Sequence, residues 1–338
     1  IKVNSVRDKG ATVILYGDAF DEASTYAQQL VKEKGLVYIP PYDDEDVIAG
    51  QGTVAMEILM QFTSPIHAVF IPVGGGGLIA GMAAYIKFVR PEIKVIGVEP
   101  EDAASLKAAL EADERVILKD VGIFAEGVAV KQIGKLPFEI ARTCVDEVIT
   151  VTTDEICAGI KDIFDDTRSI AEQAGAVGIA GLKKYIEREG LQGANLMTVV
   201  SGANVNFDRL RYISERTEIG EKREAILAVT LPEQPGSYQK FIHSLQNRNV
   251  TEFNYRYAEG CDAQIFVGIQ IPYGGEGRIQ LIEELRCLGY PVVDLTDNEI
   301  AKIHIRHMVG GRAVGVGNEQ VYRFEFPERP GALMSFLN

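Results

Sequence analysis

Four consecutive glycines, Gly74 to Gly77, join an apolar run from His67 to Val73 to a second that begins at Leu78. Each glycine held in regular structure is unfavourable by roughly 0.5–1 kcal/mol relative to alanine, so a chain that carries this string has a use for bare backbone there. The pattern predicts a buried strand, a glycine turn and a helix running to Arg90. Several N–H groups then point at one spot, which the helix dipole makes positive, and that arrangement suits a phosphate. No lysine or arginine lies between His67 and Tyr85, so backbone amides would hold such an anion.

The flanking pattern predicts an α/β layer with an open, mostly parallel sheet. Ala11–Gly17 and Leu36–Pro40 read as strands on either side of a helix, Asp21–Gly35. Lys94–Val98 reads as a strand that closes on Glu99. Thr152-Thr153-Asp154-Glu155 is a capping box before an amphipathic helix. Ala171 to Ala176 opens a helix of small residues, and Glu172 reads there as a helix-start carboxylate satisfied by backbone N–H groups. Leu196–Val200 is a strand that ends in Ser201-Gly202-Ala203-Asn204-Val205-Asn206. Ligands of open α/β sheets collect at the carboxyl ends of strands, so Ser201 and the Gly74 turn are expected at one crevice. Gly75 to Ala80 also fits G-x-G-x-x-A with Glu99 after the next strand, which keeps a nicotinamide dinucleotide open as an alternative.

From Glu221 the character changes. Ala225–Leu231, a helix, two strands (Val250–Tyr257 and Ala263–Ile271), a second helix and Pro291–Leu295 make the βαββαβ order of a ferredoxin-like unit. Pro232-Glu233-Gln234-Pro235-Gly236 recurs as Pro327-Glu328-Arg329-Pro330-Gly331, the sign of an internal duplication. The boundaries expected are a first domain over 1–220, a ferredoxin-like domain over 221–298, a linker over 299–319 and the start of a second copy over 320–338.

A net charge of -14, from 48 acids against 34 bases, argues against a nucleic-acid partner, which needs clustered cations. The four cysteines have no CxxC pair and read as reduced, buried or half-buried thiols of a cytosolic type of compartment. No apolar run reaches about 18 residues, so no membrane span is expected. The four histidines show no ligand spacing. The chain opens on Ile1 and ends in what reads as an amphipathic helix start, the pattern of an internal fragment.

Pro72 to Leu78, Glu126-Gly127-Val128-Ala129-Val130, Ala171 to Ala176, Ser201 to Asn206 and the doubled P-E-x-P-G together resemble the biosynthetic threonine deaminase (threonine ammonia-lyase) family over essentially the whole chain. The resemblance sets the dinucleotide aside. It implies pyridoxal 5'-phosphate on a fold type II catalytic domain followed by ACT-like regulatory domains, with Gly74, Gly75, Gly76, Gly77 and Leu78 around the phosphate and Ser201 at the pyridine nitrogen. It also implies L-threonine or L-serine as substrate, isoleucine as inhibitor, valine as activator, and a cytoplasmic homotetramer serving isoleucine biosynthesis. Asn254, Tyr255 and Arg256 on the second ACT-like strand are its effector-contact candidates, and alternation of faces lets only some of them point one way. The family's Schiff-base lysine is expected upstream of Ile1, so this stretch alone is expected to be inactive. A serine/threonine dehydratase of other specificity and a non-catalytic amino-acid sensor are the other readings of such a chain. Ser105 stands where related serine racemases and dehydratases carry an acidic metal ligand, which argues against a metal there.

Overall fold

The computed structural model describes residues 2–17, 20–207, 209–220, 223–232, 234–245, 248–256, 263–271 and 275–298. Helices α1 (Lys2–Arg7) and α2 (Phe20–Lys34) come first. The apolar runs on either side of α2, expected as strands, are irregular instead. Leu15, Leu36, Val37 and Ile39 stand exposed, Val37 at 90%. A strand is defined by its ladder, and β-branched composition cannot supply the neighbour that these two segments lack among the described residues.

Helix α3 (Glu45–Gln61) starts at Asp44, whose carboxylate accepts the Asp46 and Val47 amides. There follow β1 (Ala68–Pro72), α4 (Gly77–Val89), β2 (Lys94–Pro100), α5 (Ser105–Ala112), α6 (Lys135–Cys144), β3 (Glu147–Val151), α7 (Thr153–Thr167), α8 (Gln173–Glu189), β4 (Leu196–Thr198) and α9 (Arg209–Gly220). The four strands form one parallel sheet in the order β3-β2-β1-β4. Both faces are covered, as parallel sheets require. Val69, Ile71 and Val73 pack with Ile79, Met82 and Ile86 of α4, while Phe70, Val98 and Val151 pack on the other side with Ile160 of α7 and Val177 of α8. Each such side chain removed from water contributes about 1.5–3 kcal/mol. Helices α3 and α4 cross closely, for a Cβ on Gly81 would lie 2.2 Å from the Ile48 carbonyl. The capping box is present as read: Thr152 accepts the Glu155 amide at 3.2 Å and Glu155 accepts that of Thr152 at 2.7 Å.

The contacts of the chain divide into two units, the first running to Ser214 and the second beginning at Glu215. The second holds β5 (Glu224–Leu231), α10 (Ser237–Ser244), β6 (Val250–Arg256), β7 (Ala263–Gln270), α11 (Gly275–Cys287) and β8 (Val292–Asp294), in the sheet order β6-β7-β5-β8 with every pairing antiparallel. This is the ferredoxin-like βαββαβ arrangement expected. Leu227, Val229, Ile265 and Val267 form its core with Phe241 and Leu281. The linker at 299–319 and the second copy of P-E-x-P-G lie outside the described residues.

Cys144 is half-buried and Cys157 buried, and neither is joined in a disulfide. Cys287 corrects the expectation of shielded thiols: as the last residue of α11 it is exposed. Cys261, His304 and His307 lie outside the described residues. Among the described residues no helix is long and apolar enough to cross a membrane.

Candidate functional site

The site grows from the end of β1. Val73 extends the strand by donating to the Val98 carbonyl at 2.9 Å, and the chain then turns through Gly74 and Gly75 into Gly76, which caps α4 in the left-handed region at φ 92°. A side chain is strained there. No side chain caps α4, so its first amides keep their donors. The turn is also too confined for side chains. A Cβ on Gly74 would lie 2.8 Å from the Val128 Cα, and one on Gly75 would lie 2.2 Å from the Tyr42 ring. Gly134 donates to the Gly75 carbonyl at 3.1 Å, and the Asp43 carboxylate receives the Lys135 and Leu136 amides at 2.8 and 2.9 Å. Gly74, Gly75 and Leu78 remain partly exposed. The result is a narrow cradle of backbone amides, which fits a phosphate ester.

Ser201 follows β4. The strands are parallel, with Ala68 beside Leu196 and Phe70 beside Thr198, so the segment leading to Ser201 leaves β4 at the same end of the sheet at which the glycine turn leaves β1. The chain reaches β2, on one side of β1, through α4 on one face of the sheet. It reaches β4, on the other side, after α7 and α8 on the opposite face. A crevice opens outside the carboxyl ends of strands where the winding reverses in this way. Ser201 is exposed, and the Gly202 carbonyl accepts the Glu172 amide at 3.1 Å.

Two acids exchange the roles read for them. Glu99, the dinucleotide-type acid, is fully buried, and its two carboxylate oxygens accept the Leu106 and Lys107 amides at the start of α5 at 2.8 and 2.9 Å. It is spent on a helix and faces no ribose. Burial pushes its carboxyl up to about 7, against the pull of those two amides. The Ser105 hydroxyl beside it is buried without a hydrogen-bond partner. Glu172, read as a helix cap, occupies the cap position of α8 but makes no capping bond. With Glu126, Gln173, Asn204, Asn206 and Arg209 it lines a polar cavity of about 30 Å³ next to the Ser201 turn. That cavity, and Tyr42 against the glycine turn, escaped the sequence reading because they join residues far apart in the chain.

Of the effector candidates, Asn254 stands opposite Phe266 in the ladder of β6 and β7. Phe253 packs into the core, so Asn254 lies on the other sheet face. Tyr255 and Arg256 are in β6, but their side chains lie outside the described ones. His67 is engaged structurally, 3.4 Å from the Tyr185 hydroxyl.

The family model described as "Pyridoxal-phosphate dependent enzyme" matches residues 1–202, and that of the "C-terminal regulatory domain of Threonine dehydratase" matches 215–305. The biosynthetic L-threonine dehydratase of Salmonella typhimurium is 54% identical over 338 residues, covering 100% of this chain and 66% of that protein. That of Burkholderia multivorans is 51% identical over 341 residues, covering 100% of this chain and 67% of that protein. Among solved structures, the processed form of threonine deaminase isoform 2 from Solanum lycopersicum aligns with a TM-score of 0.62 and 46% identity, over 64% of this chain and 60% of that one. The chain spans about two thirds of the length of the curated bacterial relatives it matches. With the cradle at β1 and a regulatory-type unit after it in the sequence, the chain belongs to the biosynthetic threonine dehydratase family of pyridoxal-phosphate dependent enzymes.

Proposed function

We propose that the complete protein deaminates L-threonine to 2-oxobutanoate and ammonia for isoleucine biosynthesis, with L-serine giving pyruvate. The observation that carries this reading is the pairing of uncapped amides at the end of β1 with the Ser201 turn at the end of the neighbouring β4. In it, the amides of Gly74 to Gly77 and Leu78 hold the phosphate of pyridoxal 5'-phosphate. Bound there, the cofactor supplies an aldehyde and an electron-withdrawing ring that make the α-proton of an amino acid acidic. Ser201 offers the ring nitrogen a neutral hydroxyl, which does not keep it protonated as a carboxylate would. That weakens the electron sink and favours prompt loss of the β-hydroxyl over transamination.

The reading divides the chain into a catalytic part over 1–220, a first ACT-like domain over 221–298, a linker over 299–319 and a second ACT-like domain from 320. Isoleucine inhibits and valine activates through that tail, with Asn254, Tyr255 and Arg256 of β6 as contacts. An effector that binds one arrangement of the tail better must alter threonine affinity reciprocally. The assembly is a cytoplasmic homotetramer. The test is 2-oxobutanoate production by the protein of the complete coding region, with and without isoleucine, and its sedimentation. An absence of 2-oxobutanoate from threonine overturns the activity, and an unchanged rate with isoleucine overturns the regulation.

A further inference from the structure

The phosphate cradle has a wall, built from the Glu126–Val130 motif, whose support comes from outside that motif. The 3-10 turn Glu126–Val128 backs Gly74, whose Cβ would lie 2.8 Å from the Val128 Cα and 3.3 Å from the Gly127 carbonyl. The turn's own backbone bonds are short-range, from Val128 to Ala125 at 3.0 Å and from Ala129 to Glu126 at 3.3 Å. Two contacts from the start of α9 hold it from outside. The Arg209 guanidinium donates to the Glu126 carboxylate at 3.0 Å, and the Tyr212 ring lies 5.6 Å from that of Phe124. Residues three apart share a helix face, so one face of α9 grips both ends of the segment 124–126.

We propose that Arg209 is a positioning residue for the cofactor phosphate: through Glu126 it presses the Glu126–Val128 turn against Gly74 and so sets the width of the amide cradle. This rests on the reading of that cradle as the pyridoxal phosphate site. The pair is half exposed at Glu126, so its direct contribution to global stability is small. Its effect falls on the wall it steadies, because opening a surface turn is a local event.

The test uses the complete protein, stripped of cofactor and titrated with pyridoxal 5'-phosphate by absorbance. Arg209→Gln and Glu126→Gln each raise the dissociation constant about five-fold. The double variant is no weaker than the weaker single, because the contact between the two residues can be lost only once. Exchanging the charges, with Arg209→Glu and Glu126→Arg together, restores much of the affinity. The thermal midpoint of the cofactor-free protein stays within about 2 °C in all of them. An unchanged dissociation constant overturns the proposal, as does an additive loss or a loss that only follows a falling midpoint. Failure of the unsubstituted protein to bind the cofactor refutes the parent reading instead, and is seen before any variant is made.

Discussion

The helices α3 to α8 of the parallel-sheet unit begin in two different ways. Helices α3, α5, α6 and α7 begin on a side-chain oxygen, supplied by Asp44, Glu99, Asp43 and Thr152 respectively. Helices α4 and α8 begin on none. A helix start leaves amides that must find partners elsewhere, so closing an end is the ordinary outcome. The open ends lie beside the carboxyl ends of β1 and β4, the two strands between which the winding reverses. Closed ends hold the chain together, and on the proposed reading the open end of α4 receives the cofactor phosphate.

The largest test of that contrast is Glu99→Ala, which strands two amides at the start of α5, that of Leu106 buried, and opens a cavity. Urea unfolding should show a loss of about 2–4 kcal/mol, and a loss near zero would break the claim that Glu99 is structural. The same acid sets a pH dependence. Between the ordinary 4.5 and about 7 the folded protein keeps a proton that the unfolded chain has released. Stability therefore falls as pH rises through that window, by up to about 3 kcal/mol. Glu99→Gln keeps an acceptor and should flatten this slope, measured as unfolding free energy against pH.

At an open end, Gly74→Ala should weaken cofactor binding about ten- to hundred-fold in an absorbance titration, since its methyl would press on the Val128 backbone. Next comes Asp43→Ala, which uncaps α6 and should cost about 1–2 kcal/mol by urea unfolding. Smallest is Glu172→Gln. A residue that caps nothing should change stability by less than about 0.5 kcal/mol, and a larger loss would move α8 into the closed class.

What was legible beforehand is what local spacing encodes. The glycine turn, the Thr152–Glu155 box and the order of the second unit each declare themselves within a few residues. Glu99 and Glu172 did not, because both are acids at a junction between elements and look alike locally. Only tertiary placement shows that one reaches seven residues forward to Leu106 while the other lines a cavity together with Arg209 and Asn204. The Asp43 cap spans 92 residues to Lys135 and leaves no trace in either neighbourhood. The runs at 11–17 and 36–40 were misread for the opposite reason: composition announced strands where the described residues provide no ladder.

Tyr42, Asp43 and Asp44 are consecutive, and each is fastened to a different part of the first unit: the glycine turn, α6 and α3. Connections of this kind usually absorb insertions and deletions freely. This one cannot, since lengthening it by a single residue throws at least one of three attachments out of step. Tolerance of length in this protein is thus decided by stitching rather than by secondary structure, and a surface linker here is as indispensable as a core strand.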